Sequence, residues 1–397
     1  MKKTRLAFVL WGPRVSGIEV ALAALLKNLD YDRFDVSVLF TTNEDYDGTS
    51  ILPRLDPRAR VFVADRTQCV SFKKRYPFNL IRRVGGFLWR TLPRVLRPIG
   101  RALFDFEAKL YARDIRKNLG DDADVDVVVL YHPFATEEAV RAFTWKKFLV
   151  VYHNGEREQV YHQEMGFEAA DTILSVGRRV ANDIRAWYPA FRDKVAVAEN
   201  LIDIARILKM AKAECPVSLD REKIHIVTCA RLHPSKGIDL ALNAMAQLVH
   251  AGVAPFHYHV IGWDREEALY RKQIAALGLT DDVTLHGHAE NPYPLMARAD
   301  IYLQPSRKEA LGLSIAEALL LKRSVVSTRT QGGIEQLSEP HVKGVLCDIS
   351  AEAIAAALEP LLADRAARDA LVNDDYRAHC ETLNRERLAR FESFCAL

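Results

Sequence analysis

Two glutamates bracket the segment Glu309-Ala-Leu-Gly-Leu-Ser-Ile-Ala-Glu317, with seven residues between them. A strand-like run, Ile301-Tyr-Leu-Gln304, leads in through Pro305-Ser-Arg-Lys, and an apolar helix starts near Leu313. In a strand–loop–helix unit the loop lies at the carboxyl end of the strand, where open α/β sheets bind ligands. The N–H groups around Gly312 and Leu313 head the helix without intrahelical acceptors, which suits a phosphate. Glu309 stands just before that anion site and Glu317 one turn inside the helix. A ligand that is anionic at one end and a polyol at the other, as a nucleotide sugar is, fits both features. The structural alternative is a capping box, because Ser314-Ile-Ala-Glu317 has its spacing, with Glu309 a solvated loop charge.

A second turn bears on the same chemistry. Cys229-Ala-Arg231-Leu-His-Pro-Ser-Lys236-Gly237 ends a strand, places two cations five residues apart and opens a helix with Gly. Arg supplies a forked donor and Lys a point charge, a pair able to clamp a diphosphate. When a glycosyl–phosphate bond breaks, negative charge builds on the departing diphosphate. Cations fixed beforehand stabilise that state more than the ground state. Alone, either turn could be surface decoration; one cationic turn and one acidic turn with free amides point together to a site.

The elements that must position these turns alternate along the chain. The first half reads as strands at Leu6–Trp11, Asp35–Phe40, Val61–Ala64, Val125–Tyr131, Phe148–Tyr152, Asp171–Val176 and Val195–Ala198, with a helix over Ile18–Leu29. The second half repeats the alternation from Ile224 to Ala363, and a polar segment, Asp374–Phe394, ends it as one or two helices. Such Val/Ile/Leu-rich runs predict parallel sheets covered on both faces. The expected class is α/β, with two Rossmann-like doubly wound domains facing across a cleft. The expected division is residues 1–205, a linker over 206–222 around Cys215-Pro216, a second domain over 223–373 and a helical segment over 374–397 that packs back on the first domain.

Composition narrows the function classes. A length of 397 residues accommodates two domains, and a net charge of +3 is too small to indicate nucleic acid. Six scattered cysteines without Cys-x-x-Cys fit a reduced cytosol. No apolar run approaches bilayer length, and Pro13-Arg14 cuts short the signal-like start, which reads as a buried first strand. One segment stands apart: between Lys73 and Lys117 lie thirteen Lys or Arg and three acidic residues, interleaved with Phe72, Phe87, Trp89, Leu92 and other large apolar side chains. That pattern suits an anionic membrane surface over residues 72–117, each basic residue near it adding about 1 kcal/mol. The alternative is a helical insertion packed on the first domain.

Arg231-Leu-x-x-x-Lys236-Gly237, Gly262 after the next strand, Val283-Thr-Leu-His-Gly287, Ala299-Asp300-Ile-Tyr-Leu-Gln-Pro305-Ser306, Glu309, Glu317 and Gly332-Gly333-Ile-Glu335 occur in that order. Together they resemble the signature of the GT-B glycosyltransferases of family 4, the large retaining, nucleotide-sugar-dependent group 1 glycosyltransferases. Ser16-Gly17-Ile-Glu19, Tyr152-His153-Asn154 and Val197-Ala-Glu-Asn200 resemble that family's Gly-Gly-x-Glu loop, cleft histidine and hinge. The resemblance implies that Arg231 and Lys236 hold the donor diphosphate and that Glu317 bonds the ribose hydroxyls. It implies that Glu309 contacts the transferred sugar, with the amides at Leu311, Gly312 and Leu313 on sugar and phosphate. Gly17 would let the first-domain loop approach the reacting centre without a side chain to crowd it. His153 would bond the donor sugar or position the acceptor, and His288 would lie at the nucleotide base. Departures from the pattern are Ala310, Ser16, and Lys322 and Ser324 in place of Gly and Pro. A left-handed Lys322 would cost about 1 kcal/mol.

Asp122-Ala-Asp124-Val-Asp126 has the Asp-x-Asp spacing that binds metal in the other large glycosyltransferase fold, but reads here as a solvated loop. His257-Tyr-His259 and His286-Gly-His288 could assemble four imidazoles from adjacent strands; unliganded strand histidines are commoner. No metal and no cofactor are expected. The leading expectation is transfer of a sugar from a UDP-linked donor to a saccharide or lipid-linked acceptor in cell-surface polysaccharide biosynthesis. It would take place in the cytoplasm, at the inner face of the plasma membrane, without nucleic acid as partner. The alternative is a non-catalytic nucleotide-sugar-binding partner of another transferase. A nicotinamide oxidoreductase is set aside, because neither domain's first strand is followed by Gly-x-Gly-x-x-Gly.

Overall fold

The computed structural model describes residues 2–43, 49–64, 109–132, 135–155, 157 and 166–397. Its strands form two sheets whose ladders are parallel throughout. The first sheet holds β1 (Thr4–Leu10), β2 (Phe34–Phe40), β3 (Arg60–Val63), β4 (Val127–Leu130), β5 (Lys147–Tyr152), β6 (Thr172–Ser175) and β7 (Val195–Val197), in the order β3-β2-β1-β4-β5-β6-β7. The second holds β8 (Ile224–Cys229), β9 (Phe256–Ile261), β10 (Val283–Leu285), β11 (Ile301–Gln304), β12 (Ser324–Thr328) and β13 (Val345–Cys347), in the order β10-β9-β8-β11-β12-β13. Strand order reverses between β1 and β4 and again between β8 and β11. At such switch points the connections diverge and leave a crevice at the carboxyl ends of the strands.

The sequence accounts for this layering. Leu6 through Leu10 and Val127 through Leu130 are buried without interruption, as expected of central parallel strands covered on both faces. In the second sheet, Ile301 and Leu303 enter one apolar cluster while Tyr302 enters the other. Ile226 and Val227, and Val326 and Val325, divide the same way. The period of two sends alternate side chains of one strand to helices on opposite faces. The expected α/β class with two doubly wound domains is therefore observed.

Helix α1 (Gly17–Asn28) follows β1, and its N-cap is Ser16, whose hydroxyl accepts from the Ile18 N–H at 3.3 Å. A Ser cap contributes about 1 kcal/mol, which gives the Gly-to-Ser departure a local purpose. Helix α2 (Arg178–Trp187) follows β6. The segment 206–222, read as linker, is corrected: α3 (Ile204–Ala211) occupies its start. Ile207 is buried in the second domain, with Leu208, Met210, Cys215, Val217 and Leu219 packed around it. Their side chains find more apolar surface there than a free linker would offer. Helix α4 (Ile238–His250) follows β8, α5 (Leu313–Leu320) follows β11 and α6 (Gln331–Leu337) follows β12.

The last helix, α7 (Tyr376–Cys395), crosses from one domain to the other. Tyr376 and Cys380 are buried in the second domain, whereas Phe391 and Cys395 belong to the core of the first. Phe391 stacks on Phe8 of β1 with ring centroids 6.0 Å apart. Midway, Asn384 exchanges two hydrogen bonds with the backbone of Ile202, at 2.7 and 3.0 Å.

Most of the basic segment 72–117 lies outside the described residues. Its end is inside them: residues 109–119 are helical and bury Tyr111, Ala112, Ile115 and Leu119 in the first core. Among the described residues no helix is long and apolar enough to cross a membrane.

Candidate active site

The two turns singled out in the sequence meet. Lys236 closes the turn after β8, and its Nζ lies 2.7 Å from Oε2 of Glu309 in the loop after β11. The amide of Gln304, at the end of β11, donates to the same oxygen at 3.2 Å, and the hydroxyl of Ser306 donates at 3.4 Å. Among the described residues Oε1 of Glu309 receives no hydrogen bond, so the carboxylate is braced on one oxygen and open on the other. Arg231 is more exposed and pairs with Asp264 at 3.7 Å. Gly262 joins that neighbourhood to the loop after β10, because its N–H donates to the carbonyl of Gly287 at 2.8 Å; His288, next in the chain, is exposed.

Gly312 is the N-cap of α5 and has φ of 72°, a left-handed conformation that favours glycine. That kink turns the chain so that the N–H groups of Gly312, Leu313 and Ser314 head the helix with no acceptor among the described residues. The capping-box alternative is overturned. Ser314 is not the cap; its hydroxyl donates to Oε1 of Gln304 at 3.0 Å. Glu317 instead accepts from the Tyr293 hydroxyl at 3.1 Å. Burial pushes the Glu317 carboxyl up to about 7, offset in part by the Tyr293 hydrogen bond and the charge of Arg206.

The first domain supplies the opposite wall. The Tyr152–Gly155 segment leaves β5 and packs against the Glu309 loop. A Cβ on Gly155 would stand 3.0 Å from the carbonyl carbon of Glu309 and 3.1 Å from the Ala310 nitrogen, so the two backbones touch. Ala310 and Leu311 are buried within the core of the first domain. His153 lies against Tyr131, ring centroids 4.7 Å apart. Burial, and secondarily the nearby His132, lowers its pKa to about 3, which keeps the ring neutral at physiological pH. Its Nε2 is buried with no partner among the described residues, as is Oε1 of Glu19 in the first turn of α1. Burial also raises the Glu19 carboxyl. Both orphaned atoms suit a hydroxyl-rich ligand better than an apolar one.

Gly17 opens α1, and among the described residues no neighbour comes within 4 Å of a built Cβ there. Lys322 does adopt the left-handed conformation, with φ of 59°. The three aspartates near β4 each hold a separate cation: Asp122 pairs with Arg60 at 2.8 Å, Asp124 with Arg116 at 2.7 Å and Asp126 with Lys146 at 2.8 Å. The histidine group differs in membership. His225 of β8 joins it and His288 does not. Nδ1 of His225 lies 3.0 Å from Nε2 of His259, and Nδ1 of His259 lies 3.0 Å from Nε2 of His286. His257 bonds Thr284 at 2.8 Å. The imidazoles form a line of hydrogen bonds across three strands, rather than converging on one point.

The sequence reading assigned no part to Gln304 or Tyr293. Gln304 could have been noticed as an amide ending an apolar strand; Tyr293 carried no signal, because its partner lies 24 residues away on another element.

Residues 214–377 match the family model of glycosyl transferases group 1. A lipopolysaccharide core biosynthesis glycosyltransferase, LpsE of Rhizobium meliloti, is 25% identical over 199 residues, which is 50% of this chain and 56% of that protein. A D-inositol 3-phosphate glycosyltransferase of Segniliparus rotundus is 31% identical over 190 residues, 45% of this chain and 41% of that protein. The chain thus spans less than two thirds of the length of either relative. Among solved structures, Anabaena Alr3699/HepE in complex with UDP and glucose superposes with a TM-score of 0.67 at 17% identity, covering 98% of this chain and 100% of that one. TarM of S. aureus gives a TM-score of 0.71 at 12% identity, covering 99% and 100%. Arg231, Lys236, Glu309 and Glu317 all lie within the segment that matches the group 1 glycosyl transferase model, in a chain with the two-domain fold of GT-B glycosyltransferases.

Proposed function

We propose that this protein moves a sugar from a UDP-linked donor to a hydroxyl acceptor with retention of anomeric configuration. The observation that carries this reading is the Lys236–Glu309 pair at 2.7 Å, seated beneath the open amides of α5 and touched from across the crevice by the His153–Gly155 segment. Arg231 and Lys236 hold the donor diphosphate, Glu317 accepts from the ribose hydroxyls, and His288 lies beside the base. Glu309 and the amides of Leu311, Gly312 and Leu313 hold the sugar and the phosphate nearest it. The sugar C1–O bond breaks, the acceptor oxygen bonds C1 on the same face, and the acceptor proton passes to the departing phosphate oxygen. This differs from the two-carboxylate route of most retaining glycosidases, so Glu309 is not a nucleophile. His153, neutral through burial, bonds a sugar hydroxyl and does not serve as an acid.

The cations at Arg231 and Lys236 take the charge-neutralising role that a divalent metal serves elsewhere, so chelator leaves the rate unchanged. The name of LpsE, a lipopolysaccharide core biosynthesis glycosyltransferase, supports a role in surface polysaccharide biosynthesis. The reading assigns the acceptor to lipid-linked saccharides and the reaction to the inner face of the plasma membrane. A panel of UDP- and GDP-sugars, read by released nucleotide, tests the reading. Turnover of a UDP-sugar supports it; binding of UDP with no donor turned over would assign the chain to a non-catalytic partner.

A further inference from the structure

Helix α6 of the second domain grips two things at once. On one side it braces the donor loop. The Gly332 N–H donates to the Glu309 carbonyl at 2.8 Å, and the Gln336 amide donates to the Leu311 carbonyl at 3.1 Å. The fit is tight, because a Cβ on Gly332 would stand 2.6 Å from the carbonyl carbon of Leu311. On its other side α6 reaches into the first domain. Oε1 of Glu335 accepts from the Arg178 N–H at 2.7 Å, and Oε2 accepts from the Arg179 N–H at 3.1 Å.

Those two amides begin α2, whose own N-cap, Gly177, has no side chain with which to cap them. A carboxylate from the other domain therefore caps this helix, and it meets the positive end of the helix dipole. Space has been kept for it: a Cβ on Gly177 would stand 3.0 Å from Oε2 of Glu335 and 3.1 Å from the Ala310 carbonyl. A second bond crosses the same seam, from the Gln331 amide to Asp183 at 2.6 Å. The Arg178 guanidinium extends the contact to Glu339 at 3.6 Å and to the buried hinge residue Glu199 at 3.5 Å.

We infer that Glu335 is a positioning residue, a clasp that seats the first domain on the donor loop and so brings the His153–Gly155 segment against Glu309. Because α6 carries both grips, the placement of the loop and the closure of the crevice are one mechanical unit. Glu335 acts through Glu309 and the loop amides and need not touch the sugar. The inference rests on the proposed transfer reaction for its kinetic consequence, but not for its structural one.

The test is Glu335→Gln in the full chain, since the amide keeps the volume but presents N–H where an acceptor is needed. Hydrogen exchange of the Arg178 and Arg179 amides, followed without nucleotide, is expected to quicken at least tenfold while other first-domain amides keep their protection. The radius of gyration from small-angle scattering is expected to rise. With a donor that turns over, kcat falls about 10- to 100-fold, the scale expected of a reacting group displaced by about an ångström. KM for that donor stays within about threefold of wild type, because the diphosphate contacts are intact. Glu335→Asp, which keeps the charge, restores part of kcat. Unchanged exchange at Arg178 and Arg179, or quickened exchange with unaltered kcat, overturns the clasp. Should no donor be turned over by the wild-type protein, the transfer reading fails, and exchange and scattering alone decide the clasp.

Discussion

Lys236 and Glu309 are separated by 73 residues, yet their charged atoms stand 2.7 Å apart at the mouth of the switch point between β8 and β11. The pair is largely buried, at side-chain exposures of 20% and 16%, so removing either partner leaves the other charge without its counter-ion and costs stability as well as rate. Lys236→Ala and Glu309→Ala are expected to lower nucleotide release by about 100-fold or more, in the range seen when one group that stabilises a transition state is removed. Circular dichroism at the assay temperature should show both variants still folded, which separates lost rate from lost structure. Near-normal release by either variant removes that residue from the site.

If Glu317 bonds the ribose as proposed, donor binding depends on pH. Burial holds its carboxyl up to about 7, and only the ionised form can accept from both ribose hydroxyls. Calorimetric titration with UDP should show affinity falling below pH 7, approaching about tenfold per unit, and flattening above it. Glu317→Gln should abolish that slope, and a slope that survives assigns the titration to another group. The stability effect has its own sign. An acid with a raised folded pKa contributes stability below its ordinary value of 4.5, and that contribution is lost as pH rises through about 7.

Lys322 follows Leu321, the C-cap of α5, with φ of 59°. Its side chain gains an exposed pair with Asp374 at 2.8 Å, which is too wet to offset the backbone strain. Lys322→Gly should raise unfolding free energy by about 0.5–1 kcal/mol, as measured by urea titration. A loss of stability would mean that the Asp374 contact outweighs the strain.

Anionic surfaces provide the test of the basic segment. Deleting residues 73–108 while keeping 109–117, whose Tyr111, Ala112 and Ile115 are buried in the core, should weaken sedimentation with phosphatidylserine vesicles. Turnover of a soluble acceptor should change less. Equal vesicle binding before and after the deletion sinks the membrane assignment.

Uninterrupted apolar runs such as Leu6–Leu10 and Val127–Leu130 disclosed the two sheets, because central parallel strands need apolar faces on both sides. The loops at Arg231–Lys236 and Glu309–Glu317 were equally readable, since cations, acids and glycine at strand ends have few structural uses. Contacts made across long separations were not readable. Glu335 was visible as part of the Gly332-Gly333-Ile-Glu335 motif, but its partner Arg178, 157 residues earlier, was not. Ser314 and Glu317 had the spacing of a cap, but the left-handed turn at Gly312 started the helix two residues too early for it. His225 joined the imidazole line through the β8–β9 register, which sets it opposite His257 and diagonal to His259 and is invisible in one strand alone.

Helix α7 carries a consequence for anyone who would separate the halves. A fragment of residues 201–397 would keep Tyr376 and Cys380 in place while leaving Phe391 and Cys395 bare to water. A fragment of residues 1–200 would lack the ring that covers Phe8. The first half completes its interior with chain borrowed from the second, so dissection should yield sticky, partly melted pieces where co-expression of both yields a complementing pair.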